Sequence, residues 1–445
     1  MSLNSLRKKI EEREARLAVI GLGYVGLPVA CQFAEVGFDV LGVEIIPERV
    51  SRINRGISPI EGSEPGLAQL LGKVISRTKL HATSDYLELD DRDVILIDVE
   101  SPVDEHNIPR YEALRAALAS MVPVIKPGVL VIVESTIAPG TMTDVVLPAL
   151  TESSGLILNQ TLFLGHCPER VMPGKLLANL ANVSRVVGGM TMETADSMLS
   201  LYRHIVSADL DPTDCVTAEL VKTTENAYRD VQIAFSNEIA KICESVGGDV
   251  WRVRQLVNKS PYRQMHLPGA GVGGHCIPKD PWLLAYGVQD KNLPLHLIPA
   301  ARAVNDAMPV HVAQLLVEVL RDRDIEIDGA KILVLGYAYL ENSDDVRNSP
   351  SQTLVEYLHT LGAQVVIHDP YVAEYNQDLY SLASGCDAVV IMVRHDPYRQ
   401  LDIDLLKSRL RSLVIVDGRQ VINPANYKEA GFTFRVLGQS SSYIQ

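Results

Sequence analysis

The sequence has no CxxC pair, and its six cysteines (31, 167, 215, 243, 276 and 386) are scattered through 445 residues. That pattern argues against a disulfide framework and fits a reduced compartment. No apolar run reaches the roughly 18 residues that a membrane span needs, and Met1 to Arg16 is too charged for a secretory leader. The chain therefore reads as soluble and cytoplasmic, with no membrane partner. Basic residues are also short: 41 against 55 acidic, a formal charge of −14. A phosphate backbone needs a basic face, so nucleic acid is not the expected partner. An anionic ligand must be met by local Lys, Arg or helix N-termini against an adverse net field.

The length exceeds what one compact core can hold, so two to four domains are expected. The first strong signal is Leu17-Ala-Val-Ile-Gly-Leu-Gly-Tyr-Val-Gly-Leu-Pro. A short apolar strand leads into Gly21, Gly23 and Gly26 in GxGxxG spacing, then a helix-like run. Such glycines allow a tight turn, close approach to a pyrophosphate and helix–strand packing. A second strand ends at Glu44, 23 residues after Gly21. An acid there suits a ribose 2′-hydroxyl and repels a 2′-phosphate, which favours NAD over NADP. The bland alternative is a tight turn that only packs a helix on a sheet.

Further apolar strands each end in a turn signal: Glu100-Ser-Pro, Glu134-Ser-Thr-Ile-Ala-Pro-Gly-Thr and Gly165-His-Cys-Pro-Glu-Arg-Val-Met-Pro-Gly. Continuous apolar strands alternating with helices mean a parallel sheet covered on both faces, with ligands beyond the carboxyl ends. Ser101, Ser135, Thr136, Glu169 and Arg170 fall there. Ordinary helix capping is the competing account of the hydroxyls.

From about Thr213 the alternation stops. Ala218 to Gly247 reads as one long helix, on which Lys222 and Asn226 share a face. Residues to about 320 read as helical, and a helical segment between two α/β lobes is an expected dimer surface. Within it lies Gly271-Val-Gly-Gly-His-Cys-Ile-Pro-Lys-Asp-Pro-Trp, which sets Cys276 in a glycine-rich turn ahead of Lys279 and Asp280. Its glycines are expected to bring backbone close to a ligand, its cation to favour a thiolate, and its carboxylate to move protons. A lone cysteine is also commonly a small buried hydrophobe. Near residue 330 the opening plan returns in degenerate form: a strand into Gly336, a helix, and a second strand ending in Asp369. Arg347, between that first strand and helix, can reach a phosphate or pair with Asp344 or Asp345.

These motifs together resemble the UDP-glucose/GDP-mannose dehydrogenase family over nearly the whole chain: GLGYVGLP (21–28), ESTIAPGT (134–141), CPERVMPG (167–174), AELVKTTENAYRD (218–230), PGAGVGGHCIPKDPW (268–282) and SDDVRNSP (343–350). PERVMPG and GGHCIPKDPW look most like the branch acting on UDP-N-acetylamino sugars, especially UDP-N-acetylmannosamine. The resemblance implies two Rossmann-like doubly wound parallel-sheet domains, 1–212 for NAD and 326–445 for the UDP-sugar. A central helical domain, 213–325, would join them and carry a homodimer contact. It implies a four-electron oxidation of a sugar C6 hydroxyl to a carboxylate, reducing two NAD. Cys276 would form a thiohemiacetal and then a thioester, Lys222 and Asn226 would hold the oxyanion or water, and Asp280 would move protons. Glu169 would be a second base, with Thr136 near the nicotinamide. NAD would contact Gly21, Gly23, Tyr24, Val25, Gly26, Glu44, Arg49, Ser101, Ser135, Thr136, Lys279 and Arg347. The UDP-sugar would contact Glu169, Arg170, Val171, Lys222, Asn226, Gly273, Tyr337 and Tyr339, and Arg263 would reach it from its own chain or across a dimer interface.

Two positions depart from the family pattern. Pro173 stands where the glucose-oxidising branch has a second glutamate, and Leu340 stands where a lysine usually meets the UDP phosphates. Three alternatives stay open. His166-Cys167 and His275-Cys276 offer zinc-type ligands, though adjacent side chains point apart and CxxC or HxxxH spacing is missing. A two-electron alcohol dehydrogenase would need no cysteine. A silent NAD- or nucleotide-sugar-binding regulator would need no catalytic set at all.

Overall fold

A computed structural model describes residues 1–60, 62, 64–289 and 293–440. The chain divides into two compact units: Met1–Glu225 with Trp282–Leu293, and Asn226–Pro281 with Pro294–Gln445.

The first unit is built on an eight-stranded sheet of β1 (Arg16–Ile20), β2 (Asp39–Val43), β3 (Leu80–Thr83), β4 (Val94–Ile97), β5 (Val129–Val133), β6 (Leu162–His166), β7 (Arg185–Gly189) and β8 (Leu210–Asp214). Its order is β3-β2-β1-β4-β5-β6-β7-β8. β1 to β6 run parallel, as the continuous apolar runs imply. β7 then pairs antiparallel to β6 and carries β8 with it. Alternate residues of each strand enter opposite core layers. Leu17, Val19 and Leu96 pack with Phe33 and Phe38 on one face. Ala18, Ile20, Ile95 and Ile97 pack with Leu118 and Met121 on the other. The chain order reverses between β1 and β4, where such sheets open a crevice for ligands.

The second unit holds a five-stranded parallel sheet of β9 (Lys331–Leu335), β10 (Gln364–His368), β11 (Ala388–Ile391), β12 (Val414–Asp417) and β13 (Thr433–Val436), in the order β10-β9-β11-β12-β13. It too is covered on both faces, by clusters around Val312, Leu316 and Leu354 and around Tyr398, Tyr427 and Phe434.

The long helix is Cys215–Val246, three residues longer at its start than the sequence pattern suggests. The stretch read as helical up to about 320 ends in one continuous helix, Leu297–Arg321, which runs through Pro309. Proline removes one helical hydrogen bond, so pattern reading breaks there. Burial of Pro309, Met308 and Val312 keeps the helix continuous.

Candidate active site

The three glycines after β1 answer three different demands. Gly21 has φ +91°, and an added Cβ would lie 2.6 Å from the Asp98 carbonyl oxygen. A Cβ on Gly26 would lie 2.0 Å from the Gly21 carbonyl oxygen, so the helix Gly26–Glu35 can seat on the strand only without one. Gly23 has nothing within 4 Å of that position. Its open side is where a pyrophosphate can reach the backbone, and a Cβ would fill that space. Val25 sits at the helix N-cap, and the Tyr24 hydroxyl bonds to Glu64. Glu44, 5% exposed at the tip of β2, accepts from the Ile46 N–H at 3.0 Å and stands 3.9 Å from Arg49 Nη1. The glycine loop and the acid thus fit a dinucleotide with a free ribose 2′-hydroxyl.

The serines at the next two strand tips face the backbone. Ser101 Oγ donates to the Thr136 carbonyl and Ser135 Oγ to the Val99 carbonyl, each at 2.6 Å. They cross-tie the loops after β4 and β5. Thr136 is half-buried beside them. Beyond β6, Glu169 is buried and paired with Arg185. Burial raises the Glu169 carboxyl above its usual range, against the attraction of Arg185 and Lys222. Arg170 is tied to Glu225, with Nε 3.1 Å from Oε2, and to the Ser184 carbonyl at 2.6 Å. Val171 packs at the edge of the core. Lys222 also acts on His166, whose Nδ1 meets the Val133 carbonyl at 2.8 Å and whose pKa burial lowers to about 4.

In the second unit the cysteine loop lies on the turn after β9. A Cβ on Gly273 would strike Tyr339 Cβ at 2.6 Å, and one on Gly274 would strike the Tyr339 ring at 2.7 Å. On Gly271 it would meet Pro350 at 2.8 Å, and on Gly269 the Arg419 guanidinium at 2.1 Å. These glycines therefore let the loop pack closely on its own unit. Gly274 N–H donates to the Arg347 carbonyl at 2.9 Å, and Asn348 Nδ2 donates to the Gly274 carbonyl at 3.1 Å. Arg419 Nη2 holds the Gly271 carbonyl at 2.9 Å.

Cys276 is the one exposed cysteine of the six; the other five are buried. Its carbonyl accepts from the N–H groups of Lys279 at 3.1 Å and Asp280 at 2.8 Å, so both residues fold back beneath it. Asp280 is fully buried, accepts from Asn226 Nδ2 at 2.5 Å and lies 3.6 Å from Lys279 Nζ. Burial pushes the His275 imidazole down to about 4. Arg347 is half-exposed and held by Asp345, with Nε 2.9 Å from Oδ1. The pairing alternative raised for Arg347 is thus the arrangement seen. Tyr337 stacks edge-on against Tyr375 at 4.8 Å, and Arg263 is exposed. Among the described residues, no group of three or more His, Cys, Asp or Glu is arranged to hold a metal ion.

Three family models match in order: the NAD binding domain of the UDP-glucose/GDP-mannose dehydrogenase family at residues 15–206, its central domain at 216–307 and its UDP binding domain at 333–424. The chain belongs to the UDP-glucose/GDP-mannose dehydrogenase family. It is an NAD-dependent oxidoreductase with a UDP-sugar-binding domain, as that family is described. A UDP-N-acetyl-D-mannosamine dehydrogenase of Pyrococcus horikoshii is 38% identical over 424 residues, 95% of this chain and 99% of that one. A solved UDP-D-ManNAc dehydrogenase structure from the same organism superposes with a TM-score of 0.89, over 96% of this chain and 100% of that one. An NDP-N-acetyl-D-galactosaminuronic acid dehydrogenase structure from Methanosarcina mazei is 35% identical, with a TM-score of 0.90 over 100% and 99% of the two chains.

Against the family's motif set, the residues that motif reading passed over are Asp98, Arg185 and Tyr202, together with the side chain of Glu134. They surround Glu169 from four strand or helix ends. The signal available was an acid directly after each of the wholly apolar strands β4 and β5.

Proposed function

We propose that the protein oxidises the C6 hydroxyl of UDP-N-acetyl-D-mannosamine to the carboxylate. The observation that carries the mechanism is the exposure of Cys276 alone among six cysteines, directly above buried Asp280. NAD, which the glycine loop and Glu44 would hold, would supply the hydride acceptor for each of the two oxidations. The alcohol first becomes an aldehyde. The Cys276 thiolate adds to the aldehyde carbon, giving a thiohemiacetal, whose loss of a second hydride leaves a thioester. Water cleaves the thioester, freeing the thiol and the carboxylate and releasing protons. Lys222 stabilises the oxyanion, Asn226 and Asp280 orient and deprotonate the water, and Glu169 is a second base. The Asn226–Asp280 hydrogen bond supports pairing those two in one role. Thr136 lines the nicotinamide end. Glu44, Tyr24, Val25, Arg49, Ser101, Ser135 and the glycine loop hold the dinucleotide. Lys279 and Arg347 meet phosphates, Arg347 by exchanging Asp345 for them. The sugar nucleotide meets Arg170, Val171, Gly273, Tyr337 and Tyr339.

The choice of sugar rests on the Pyrococcus relative and on Pro173. The Methanosarcina likeness supports the galacto-configured acetamido sugar as a second reading. Domain boundaries near 212 and 325 follow the same reading. A homodimer through the long helix is supported by Tyr228, Phe235 and Ile242, spaced by seven and 62%, 56% and 49% exposed, with Arg263 available to a neighbouring copy. No described helix is long and apolar enough to cross a membrane. A cytoplasmic setting is proposed from the scattered cysteines.

The test is NADH formed per sugar consumed, with the N-acetylmannosamine, N-acetylglucosamine, N-acetylgalactosamine and glucose nucleotides in parallel, for the native enzyme and Cys276→Ser. Two NADH per acetamido sugar, with acid formation abolished in the variant, is the expected result. One NADH per sugar, unchanged in the variant, overturns the thioester route.

A further inference from the structure

Behind Glu169 the first unit buries more acid than it neutralises. β4, β5 and β6 deliver three carboxyls to one place: Asp98, Glu134 and Glu169. Among the described residues one cation stands between them, Arg185, the first residue of β7 and 1% exposed. Its Nη1 pairs with Glu169 Oε1 and lies 3.6 Å from Glu134 Oε1. Its Nη2 donates to the Leu180 carbonyl at 3.2 Å, and its guanidinium lies 5.2 Å from the centroid of the Tyr202 ring. The Tyr202 hydroxyl, from the end of helix Met192–Tyr202, donates to Glu134 Oε1 at 2.6 Å. Cys167 also faces the cluster, and Lys222 acts on Glu169 and on His166.

Glu134 Oε2 and Asp98 Oδ2 are both buried, and neither meets a donor among the described residues. The two carboxyls stand at the tips of the paired strands β4 and β5, near enough for each to shift the other. Two carboxylates have only lone pairs to offer, so these two can bond each other only if one of them keeps a proton. Charge favours the same, because three buried anions outnumber Arg185 even with the attraction of Lys222 on Glu169. Burial first, then Glu134, hold the Asp98 carboxyl well above the usual range; burial and Glu169 raise Glu134 to about 7. A structural role alone does not call for acids here, since amides of the same shape would bond to each other and to Tyr202 without this electrostatic cost.

We propose that Asp98 and Glu134 are a proton-holding pair that positions and tunes Glu169: by competing for Arg185 they keep Glu169 basic enough to take the proton of the water that cleaves the thioester. The inference rests on the role given to Glu169 above. Without a competitor, Arg185 would pair wholly with Glu169 and make it a weaker base. With Glu134 drawing on the same guanidinium, the Glu169 carboxylate accepts a proton from water while the pair retains its own.

The experiment is the pH profile of thioester hydrolysis, read as the steady-state rate after a burst of NADH, in the full-length enzyme with NAD and sugar nucleotide. Glu134→Gln keeps the partner of Tyr202 and removes the competing charge. Its acid limb should move about one unit to lower pH, with a plateau roughly 3-fold lower. Should that variant fail to fold, Tyr202→Phe removes the donor that favours ionised Glu134, and a smaller shift in the same direction is expected. In infrared spectra at neutral pH the native protein should show the carbonyl band of a protonated carboxylic acid, and Asp98→Asn should lose it. An unchanged profile in folded Glu134→Gln, with hydrolysis abolished in Glu169→Gln, overturns the pair while leaving Glu169 in place. Hydrolysis that survives in Glu169→Gln overturns the role of Glu169 itself. Absence of the carboxylic-acid band from the native protein overturns the retained proton.

Discussion

The two sheets place an acid at the same topological point, the tip of the second strand beside a glycine turn, and bond it in opposite ways. Glu44 accepts one backbone N–H, from Ile46, and keeps Arg49 at 3.9 Å. Asp369 accepts from the N–H groups of Tyr337 at 2.7 Å, Ala338 at 2.9 Å, Tyr371 at 2.9 Å and Val372 at 3.3 Å, and from His395 Nε2 at 3.0 Å. His395 Nδ1 accepts from the Asn342 N–H at 2.9 Å, which puts its proton on Nε2, the atom facing Asp369. Those contacts exhaust a carboxylate. The glycine turns differ likewise. Gly23 opens on space, whereas a Cβ on Gly336 would lie 2.5 Å from Val393 Cβ. The first lobe leaves acceptors and backbone for a ligand, and the second closes on itself. A strand-tip acid therefore marks a ribose site only where the rest of its bonds are left unmade.

The comparison breaks most sharply at Asp369. Asp369→Ala should destabilise the protein by about 3–5 kcal/mol in denaturant titration, because a buried imidazole and four backbone N–H groups lose their acceptor. Glu44→Ala should cost about 1 kcal/mol or less and raise the KM for NAD at least about 10-fold. Equal stability losses at the two positions would erase the distinction.

The glycines give the next largest effect. Gly26→Ala should cost about 1–3 kcal/mol, since helix or strand must shift to clear a 2.0 Å contact. Gly23→Ala should leave the melting temperature nearly unchanged and weaken NAD binding about 10-fold or more, measured by fluorescence quenching. A Gly23→Ala enzyme that binds NAD normally would mean the open side faces something other than the cofactor.

The sequence made the first sheet readable because its signals are local. Gly21, Gly23, Gly26 and Glu44 sit at fixed spacing, and the apolar strands declare themselves. The same holds for the cysteine turn and for Lys222 and Asn226 one helical turn apart. What stayed hidden depends on contacts between distant residues. Nothing near Gly273 in sequence announces Tyr339, and nothing near Glu169 announces Asp98, 71 positions earlier, or Tyr202. The antiparallel turn of β7 was hidden too, because a buried strand has the same apolar pattern in either direction. Arg347 was legible only as a choice: its type suits a phosphate, its neighbours Asp344 and Asp345 suit a pair, and the fold shows it held by Asp345.

The smallest expected effect is also the one that most tests the contrast, because the two lobes should respond to pH with opposite sign. Asp369 titrates at about 2 in the fold, held down against its burial chiefly by the hydrogen bond from His395. The unfolded chain then binds more protons than the native one between about pH 4 and 2, so its contribution is lost as pH falls through that window. Glu134 is raised to about 7, so the native protein binds more protons than the unfolded chain between about pH 4.5 and 7. Its contribution is present at low pH and is lost as pH rises. Glu134→Gln should therefore gain on the native protein between pH 5 and 7.5, by about 1 kcal/mol or a few degrees of melting temperature. The advantage of the native protein over Asp369→Asn should instead be flat there and shrink only below pH 4. Parallel curves for native protein and Glu134→Gln would mean that the first lobe, like the second, holds its acids fully ionised, and that the difference between the lobes ends at Glu44.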